Sequence, residues 1–520
     1  MQVKLAFVFC LALIFSEAFK LLVIFMMPTR SHANLGDGVV RHLLNAGHEV
    51  TYLSPFHYNN APPNLRQIDI SKNIGHLPSD SLNLRAIMQN ENVAFDLLTI
   101  KSMLNSLAVK TIENENVQKL LQDPKEHFDA VIIEKVPASR LTSRLATVFS
   151  APLIWVSPGD TGPETIGLID AMPNPAFAPD MLRGELPPLS FWQRVSGLWG
   201  RVSLWYLNLM YFHDLESKEY ERLLASIVRK RGRQAPTYSE VRYNASLVLG
   251  NSHVSTGRPL TLPQAYKPIG GYHIEENVKP LPEDIKNVME TAKNGVIYFS
   301  MGSNLKSKEW PEELKYGLLK MFGELEQTII WKFEESLLNP PKNVHILQWA
   351  PQPSILAHPN CALFITHGGL LSTTETIHYG VPIIGIPVYG DQFVNVNMAV
   401  NKGFAVKVDL TFDLVRDLKV AIEEITTSSR YTDRVKELSF IYHHRPTKPG
   451  AELVHWVEHV VQTRGASHLR SPGLSTPLYQ RLYLDLIASI MVATVVLLVI
   501  LRRVSSVCSK KIVNKSKKNK

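Results

Sequence analysis

The chain has 520 residues, a formal net charge of +8, 45% apolar residues and three cysteines. It is too long for one hydrophobic core and suits two domains, and so few cysteines exclude a disulfide scaffold or a zinc framework. The tail from Arg502 to Lys520 holds eight basic residues and no acid; removing them leaves 55 − 8 = 47 bases against 47 acids, so residues 1–501 are neutral and no nucleic-acid partner is expected.

In chain order, Leu5 to Phe15 is an 11-residue apolar run behind Lys4, with small Ser16 and Ala18 placed for cleavage. It is too short to cross a bilayer and predicts a secretory signal peptide over 1–18. Cys10 would leave with it and Cys508 lies on the tail, so Cys361 is the single thiol between them. A strand Leu21 to Met26 leads through a polar turn to a helix from Gly36 to Ala46, stopped by Gly47, and to a second strand, Val50 to Leu53. Strands at Ala130 to Ile133 and Leu153 to Val156 follow, then a long helical stretch from Leu189 to about Arg231. That stretch carries Phe191, Trp192, Trp199, Trp205, Tyr206, Tyr211 and Phe212; these could line a lipophilic pocket, lie on a membrane surface or cover a sheet. Asn244-Ala245-Ser246 is a glycosylation sequon at Asn244.

Strands alternating with helices imply an α/β first domain, 19–270, with a parallel doubly wound sheet and its sites at the strand C-terminal ends. Gly270-Gly271 through Asp284, with Pro280 and Pro282, reads as a linker over 271–284. A second alternating series fills 285–448, with strands at Val296 to Ser300, Thr328 to Phe333, His345 to Leu347, Ala362 to Thr366, Pro382 to Pro387 and Ala405 to Val408. A helix from Pro449 to about Arg464 opens a segment 449–480, with Gly465 as its stop. Leu482 to Leu501 is 20 residues long with Asp485 as its only charge, which predicts a transmembrane helix over 482–501. The basic tail, 502–520, is then expected on the cytosolic side. Its end, Lys517-Lys518-Asn519-Lys520, is similar to the dilysine retrieval signal of resident endoplasmic-reticulum membrane proteins.

The run Phe364-Ile365-Thr366-His367-Gly368-Gly369, continued through Tyr379-Gly380-Val381-Pro382 to Tyr389-Gly390-Asp391-Gln392, is the most specific part of the chain. A strand that turns on two glycines into a helix leaves free N–H groups at the helix N-terminus, where the dipole also favours negative charge; a phosphate fits there. His367, Ser372, Thr373 and Thr374 crowd the same spot. Upstream lie Trp349-Ala350-Pro351-Gln352 and Phe299-Ser300-Met301-Gly302-Ser303.

On these residues the chain resembles the UDP-glycosyltransferase family, which holds the UDP-glucuronosyltransferases and their insect UDP-glucosyl relatives, over about residues 20 to 505. The resemblance implies the GT-B arrangement, two Rossmann-like lobes facing across a cleft, and crossing of the segment after 449 back to the first lobe. It implies a UDP-sugar as co-substrate and no cofactor. Trp349 would stack on uracil, Gln352 bond near base and ribose, and Glu375 accept from ribose hydroxyls. His367, the Gly369 backbone and Ser303 would meet the diphosphate, and Asp391 and Gln392 the sugar hydroxyls. No Asp-x-Asp motif is present, which fits a metal-independent reaction.

His32, in the turn after the first strand, is the candidate general base; a helix N-terminus is expected to lower its pKa and keep the imidazole neutral. Glu134, closing the strand that begins at Phe128, is placed to orient it, though vertebrate relatives usually carry aspartate there. The expected activity is inverting transfer of a hexose to a hydroxyl of a small lipophilic acceptor, glucose being preferred over glucuronate because a second carboxylate beside Asp391 is unfavourable. The rivals are a hormone- or lipid-directed enzyme and a catalytically silent carrier of hydrophobic ligands. The acceptor and the oligomeric state, a homo-oligomer included, are left open by the residues.

Overall fold

The computed structural model describes residues 18–76, 87–88, 97–136, 139–178, 185–241, 244–303 and 310–518. The apolar run of the expected signal peptide and the final two residues of the tail lie outside these. Residues up to Arg470 form one compact unit and Ser471–Lys520 another.

The first unit holds two wholly parallel sheets. One has seven strands, β1 (Lys20–Ile24), β2 (Glu49–Ser54), β3 (Leu65–Asp69), β4 (Ala130–Glu134), β5 (Leu153–Ser157), β6 (Ala245–Gly250) and β7 (Tyr266–Pro268), in the order β3-β2-β1-β4-β5-β6-β7. The other has six, β8 (Val296–Ser300), β9 (Thr328–Lys332), β10 (Val344–Leu347), β11 (Cys361–Thr366), β12 (Ile383–Gly385) and β13 (Ala405–Lys407), in the order β10-β9-β8-β11-β12-β13. The central strands read as unbroken apolar runs (Leu-Leu-Val-Ile in β1, Ala-Val-Ile-Ile in β4) because helices cover both faces and leave no solvent side to alternate with. In each sheet the order reverses beside the first strand, between β1 and β4 and between β8 and β11. Such switch points open a crevice at the strand C-terminal ends where ligands bind.

The helix after β1, α1 (Arg30–Asn45), begins six residues before the expected start, so His32 sits in its first turn and not in the turn before it. The long helical stretch is interrupted: an α-helix, α2 (Phe191–Leu207), passes into a π-helical turn over Asn208–Phe212, and a second π turn follows at Glu221–Ala225. In the second sheet, α3 (Leu370–Tyr379) follows β11 and α4 (Gln392–Asn401) follows β12. The helix α5 (Pro449–Gln462) returns to the first sheet, where Leu453, Val457 and Val460 join the same buried cluster as β1 and β4. It packs so closely on α1 that a Cβ on Gly450 would lie 2.0 Å from the His42 ring. In the second unit, α6 (Leu484–Lys518) is one continuous helix that contains Arg502 and Arg503, and its segment Leu484–Val507 is long and apolar enough to cross a membrane.

Candidate active site

The two switch points supply the two halves of the site. On the first sheet, β1 runs through Pro28 into α1, and Thr29, extended at φ −125° and ψ 143°, is its N-cap. The neighbouring strand β4 ends at Glu134. Parallel pairing of β1 with β4 brings these ends together, and His32 Nδ1 forms a short hydrogen bond with Glu134 Oε1. A carboxylate only accepts, so the proton is on Nδ1, and in the neutral imidazole Nε2 keeps its lone pair. The Glu134 side chain is 1% exposed and its second oxygen has no hydrogen-bond partner, whereas the His32 side chain is 24% exposed.

The expectation that His32 titrates below its ordinary range is overturned. Burial lowers its pKa, but the charge and hydrogen bond of Glu134, with a smaller contribution from Asp391, outweigh burial and raise it. The lowering influence is burial, and the adjacent carboxylate supplies most of what outweighs it. Asp391, from the turn that precedes α4 of the second sheet, adds its charge to the same raising effect. Burial in turn raises the Asp391 pKa, opposed by Asn395 and by His32.

On the second sheet, β11 delivers His367-Gly368-Gly369 to α3. Gly368 has φ +80°, and a Cβ there would lie 2.2 Å from Val396 Cγ2, so only glycine fits. Thr366 Oγ1 accepts from Gly368 N (3.3 Å), and Asn395 Nδ2 donates both to Gly368 O (3.0 Å) and to Asp391 Oδ2 (2.9 Å). The His367 ring is held between two glycines: a Cβ on Gly302 or on Gly369 would approach it to 2.6 or 2.8 Å. Burial and the Lys332 cation push its pKa down to about 4, so it is neutral. Gly369 is the N-cap of α3, whose first N–H groups therefore open beside His367.

Gln352 ties the nucleotide end together. Its Nε2 donates to Glu375 Oε2 (2.6 Å) and Ser372 Oγ (3.0 Å), while Oε1 accepts from the Tyr298 hydroxyl (3.5 Å). Burial raises the Glu375 carboxyl to about 7 against the lowering effect of Gln352. Trp349 is 69% exposed, so it is not packed into a core and its indole is open to a ligand. Ser303 is exposed at the end of the loop after β8. Gln392 is buried, and its Oε1 accepts from Val388 N (2.9 Å) and Tyr389 N (3.1 Å), so it fixes the turn preceding α4 and only its amide N–H groups remain for a ligand.

Three residues of this neighbourhood escape the motif. Lys332, the buried last residue of β9, donates to Gly302 O (3.0 Å) and pairs with Glu334, placing a cation behind the Gly302–His367 contact. Asn395 braces the double-glycine turn. His273, on the strap between the two sheets, is buried with both ring nitrogens unpartnered and lies 3.8 Å from Glu375 Oε1. Burial, with Arg41 and His378, drops its pKa to about 3. Arg41 and His42 of α1 bond the strap carbonyls of Tyr272 and His273, so the helix that carries His32 also holds this strap. Position after a Gly-Gly pair was the only sequence signal for His273.

Elsewhere, Asn244 is exposed and its Oδ1 accepts from Arg470. No residue of α2 is buried, and Trp192 and Trp199 are more than two-thirds exposed, so the helix does not cover a sheet. Cys361 is a buried free thiol. Among the described residues, no three His, Cys, Asp or Glu side chains are grouped to hold a metal ion.

A family model described as "UDP-glucoronosyl and UDP-glucosyl transferase" matches residues 20–519. UDP-glucosyltransferase 2 of Dactylopius coccus is 31% identical over 488 residues, 92% of this chain and 90% of that protein. UDP-glucuronosyltransferase 2B15 of Rattus norvegicus is 30% identical over 416 residues, 79% of this chain and 75% of that protein. The ecdysteroid UDP-glucosyltransferase of Spodoptera littoralis nuclear polyhedrosis virus is 28% identical, covering 92% and 95%. Among solved structures, the calicheamicin glycosyltransferase CalG4 matches with a TM-score of 0.55 at 17% identity, covering 86% of this chain and 99% of that one. A UDP-glucosyltransferase from Polygonum tinctorium, in complex with 3,4-dichloroaniline, matches with a TM-score of 0.55 at 15% identity and the same coverage. At such identities the likeness speaks for the fold, which is GT-B.

Proposed function

Since the chain belongs to the family of UDP-glucoronosyl and UDP-glucosyl transferases, and is therefore a glycosyltransferase that draws on a UDP-sugar, we propose that it transfers a hexose with inversion to a hydroxyl of a small lipophilic acceptor, with His32 as general base. The observation that carries this reading is the His32–Glu134 pair at the switch point of the first sheet.

In this mechanism the acceptor hydroxyl gives its proton to His32 Nε2 as its oxygen forms a bond to the anomeric carbon, and the bond from that carbon to the diphosphate breaks. One displacement from the face opposite the leaving group inverts the carbon. Glu134 keeps the proton on Nδ1, so the correct nitrogen is free, and its charge stabilises the imidazolium that forms. The departing diphosphate is met by the N–H groups of α3 from Gly369 onward, by neutral His367 and by Ser303, groups already aimed at the place where charge develops. Trp349 offers its open face to uracil, Gln352 and Glu375 hold the ribose side, and Asp391 with the Gln392 amide meets the hexose hydroxyls. A neutral hexose suits Asp391 better than one bearing a carboxylate, so UDP-glucose is the preferred donor.

The enzyme is placed by this reading in the endoplasmic-reticulum membrane through α6, with the catalytic part lumenal and the basic tail cytosolic. The apolar segment and the excess of Lys and Arg after the span support that orientation. Release of UDP from UDP-glucose against UDP-glucuronate, with phenolic and steroidal acceptors, tests it. Turnover that vanishes in His32→Gln supports the assignment; undiminished turnover in that variant removes it.

A further inference from the structure

A second concavity lies at the opposite edge of the seven-stranded sheet, by the N-terminal ends of β5 and β6, whereas the site above occupies the C-terminal ends. It encloses about 600 Å³. Among the described residues four arginines line it, Arg144, Arg233, Arg464 and Arg470, against one acid, Glu240. Glu240 is committed elsewhere, accepting from the backbone N–H (2.7 Å) and hydroxyl (2.8 Å) of Thr237.

Arg144 marks the floor. It is 2% exposed, its Nη1 donates to Val241 O, and its guanidinium lies 4.7 Å from the centre of the Tyr238 ring. Its Nε and Nη2 lack a well-formed hydrogen bond, the Tyr238 hydroxyl being the polar group that chiefly offsets its charge. Tyr238 donates its hydroxyl to Glu216, so that carboxylate, which offsets the Arg144 charge at a distance, is engaged by another donor. A buried guanidinium with two poorly engaged N–H edges is costly unless an anion completes it. Of the other cations, Arg233 spends its donors on Thr147 O and Val148 O, and Arg470 donates to Asn244 Oδ1. Arg464 and Arg470 are exposed on the rim, on the segment that follows α5.

We propose that this crevice binds a phosphate-bearing anion, at a place separate from the donor cleft. Guanidinium forks match phosphate oxygens in geometry and charge. The volume exceeds that of a lone phosphate and falls within the range of small-ligand sites, so the ligand is an organic phosphate with its phosphoryl group toward the arginines. Its source is either a soluble phosphorylated metabolite or the headgroup of an anionic lipid. The chain continues from Arg470 into the unit that bears the membrane-length helix, which makes the lipid source worth a separate arm.

The test uses the full chain in a neutral detergent with the donor cleft filled by saturating UDP, so that cleft binding does not register. Inorganic pyrophosphate is titrated calorimetrically at fixed ionic strength. Saturable binding is expected, weakened about tenfold or more in the rim variant R464A/R470A and equally in R144M. Because Arg144 is buried, R144M alone could fail by misfolding; the exposed rim pair keeps the test decisive. Absence of saturable binding to the UDP-filled wild type, or equal affinity in wild type and the rim variant, overturns the proposal. In nanodiscs of phosphatidylcholine with and without phosphatidylinositol, a thermal stabilisation by the anionic lipid that the rim variant loses assigns the lipid headgroup. Pyrophosphate binding without that difference assigns a soluble phosphate.

Discussion

His32 is pulled in two directions, by burial toward the neutral form and by Glu134 toward the imidazolium, and the carboxylate wins. A base must be neutral to accept a proton, so with a folded pKa above the ordinary 6.5, kcat/KM should climb with pH through that raised value. Glu134→Gln removes the raising influence and leaves burial, so the acid limb of the profile should move to lower pH while kcat falls. An unmoved limb would show that the pair does not control the titration. His32→Gln should lower kcat by about 10²–10⁴ with little change in KM for the UDP-sugar. At the nucleotide end, an open indole stacked on a base contributes about 1–3 kcal/mol. Trp349→Ala should therefore raise the KM for UDP-sugar roughly 5- to 150-fold, read from initial rates at saturating acceptor. Glu375 accepts from ribose hydroxyls more strongly as a carboxylate than as the neutral acid, and burial holds its pKa at about 7. KM for the UDP-sugar should consequently fall as pH rises through 7, and Glu375→Gln should flatten that dependence.

Among the elements, the strand–turn–helix of β11 and α3 shows how side-chain absence builds a site. His367 fits only because Gly302 and Gly369 offer no Cβ to its ring. Gly369→Ala should displace the ring from the head of α3 and weaken UDP binding at least tenfold, while thermal unfolding shifts by only a few degrees; calorimetric titration with UDP and a melting curve separate the two effects. This turn was legible from residues alone, since a strand, two glycines and a helix announce themselves locally. So were all six strands of the second sheet, each an apolar run between glycines, prolines or polar turns. In the first sheet β3, β6 and β7 were missed. Leu65–Asp69 buries little of its length, and Tyr266–Pro268 is short and ends in proline, so neither carries a clear apolar signature. Ala245–Gly250 is fully buried but overlaps the sequon, which was read for its chemistry alone. The site residues that escaped notice, Lys332, His273 and Asn395, act by closing contacts between segments 27 to 102 residues apart. No local pattern encodes such contacts, just as none encoded the contest over the His32 proton.

At the scale of the molecule, both sheets and their buried clusters lie within the unit ending at Arg470. A chain ending near Ser475 should therefore unfold cooperatively and bind UDP with an affinity within about threefold of the full chain, as measured by calorimetry in detergent-free buffer. Loss of UDP binding in a folded truncation would show that the second unit contributes to the donor end.

The return of α5 has one more implication, for the order in which the protein is made and for how it can be recombined. The layer that begins at Lys20 lacks Leu453, Val457 and Val460 until the ribosome has passed residue 460, long after the whole six-stranded layer has emerged. The earlier half thus waits, incompletely covered, on the later one. Hybrids that join the front of one relative to the back of another should express well only when residues 449–470 travel with the front. Otherwise Gly450 meets a foreign partner for His42, and the fusion fails at a joint far from any reacting atom.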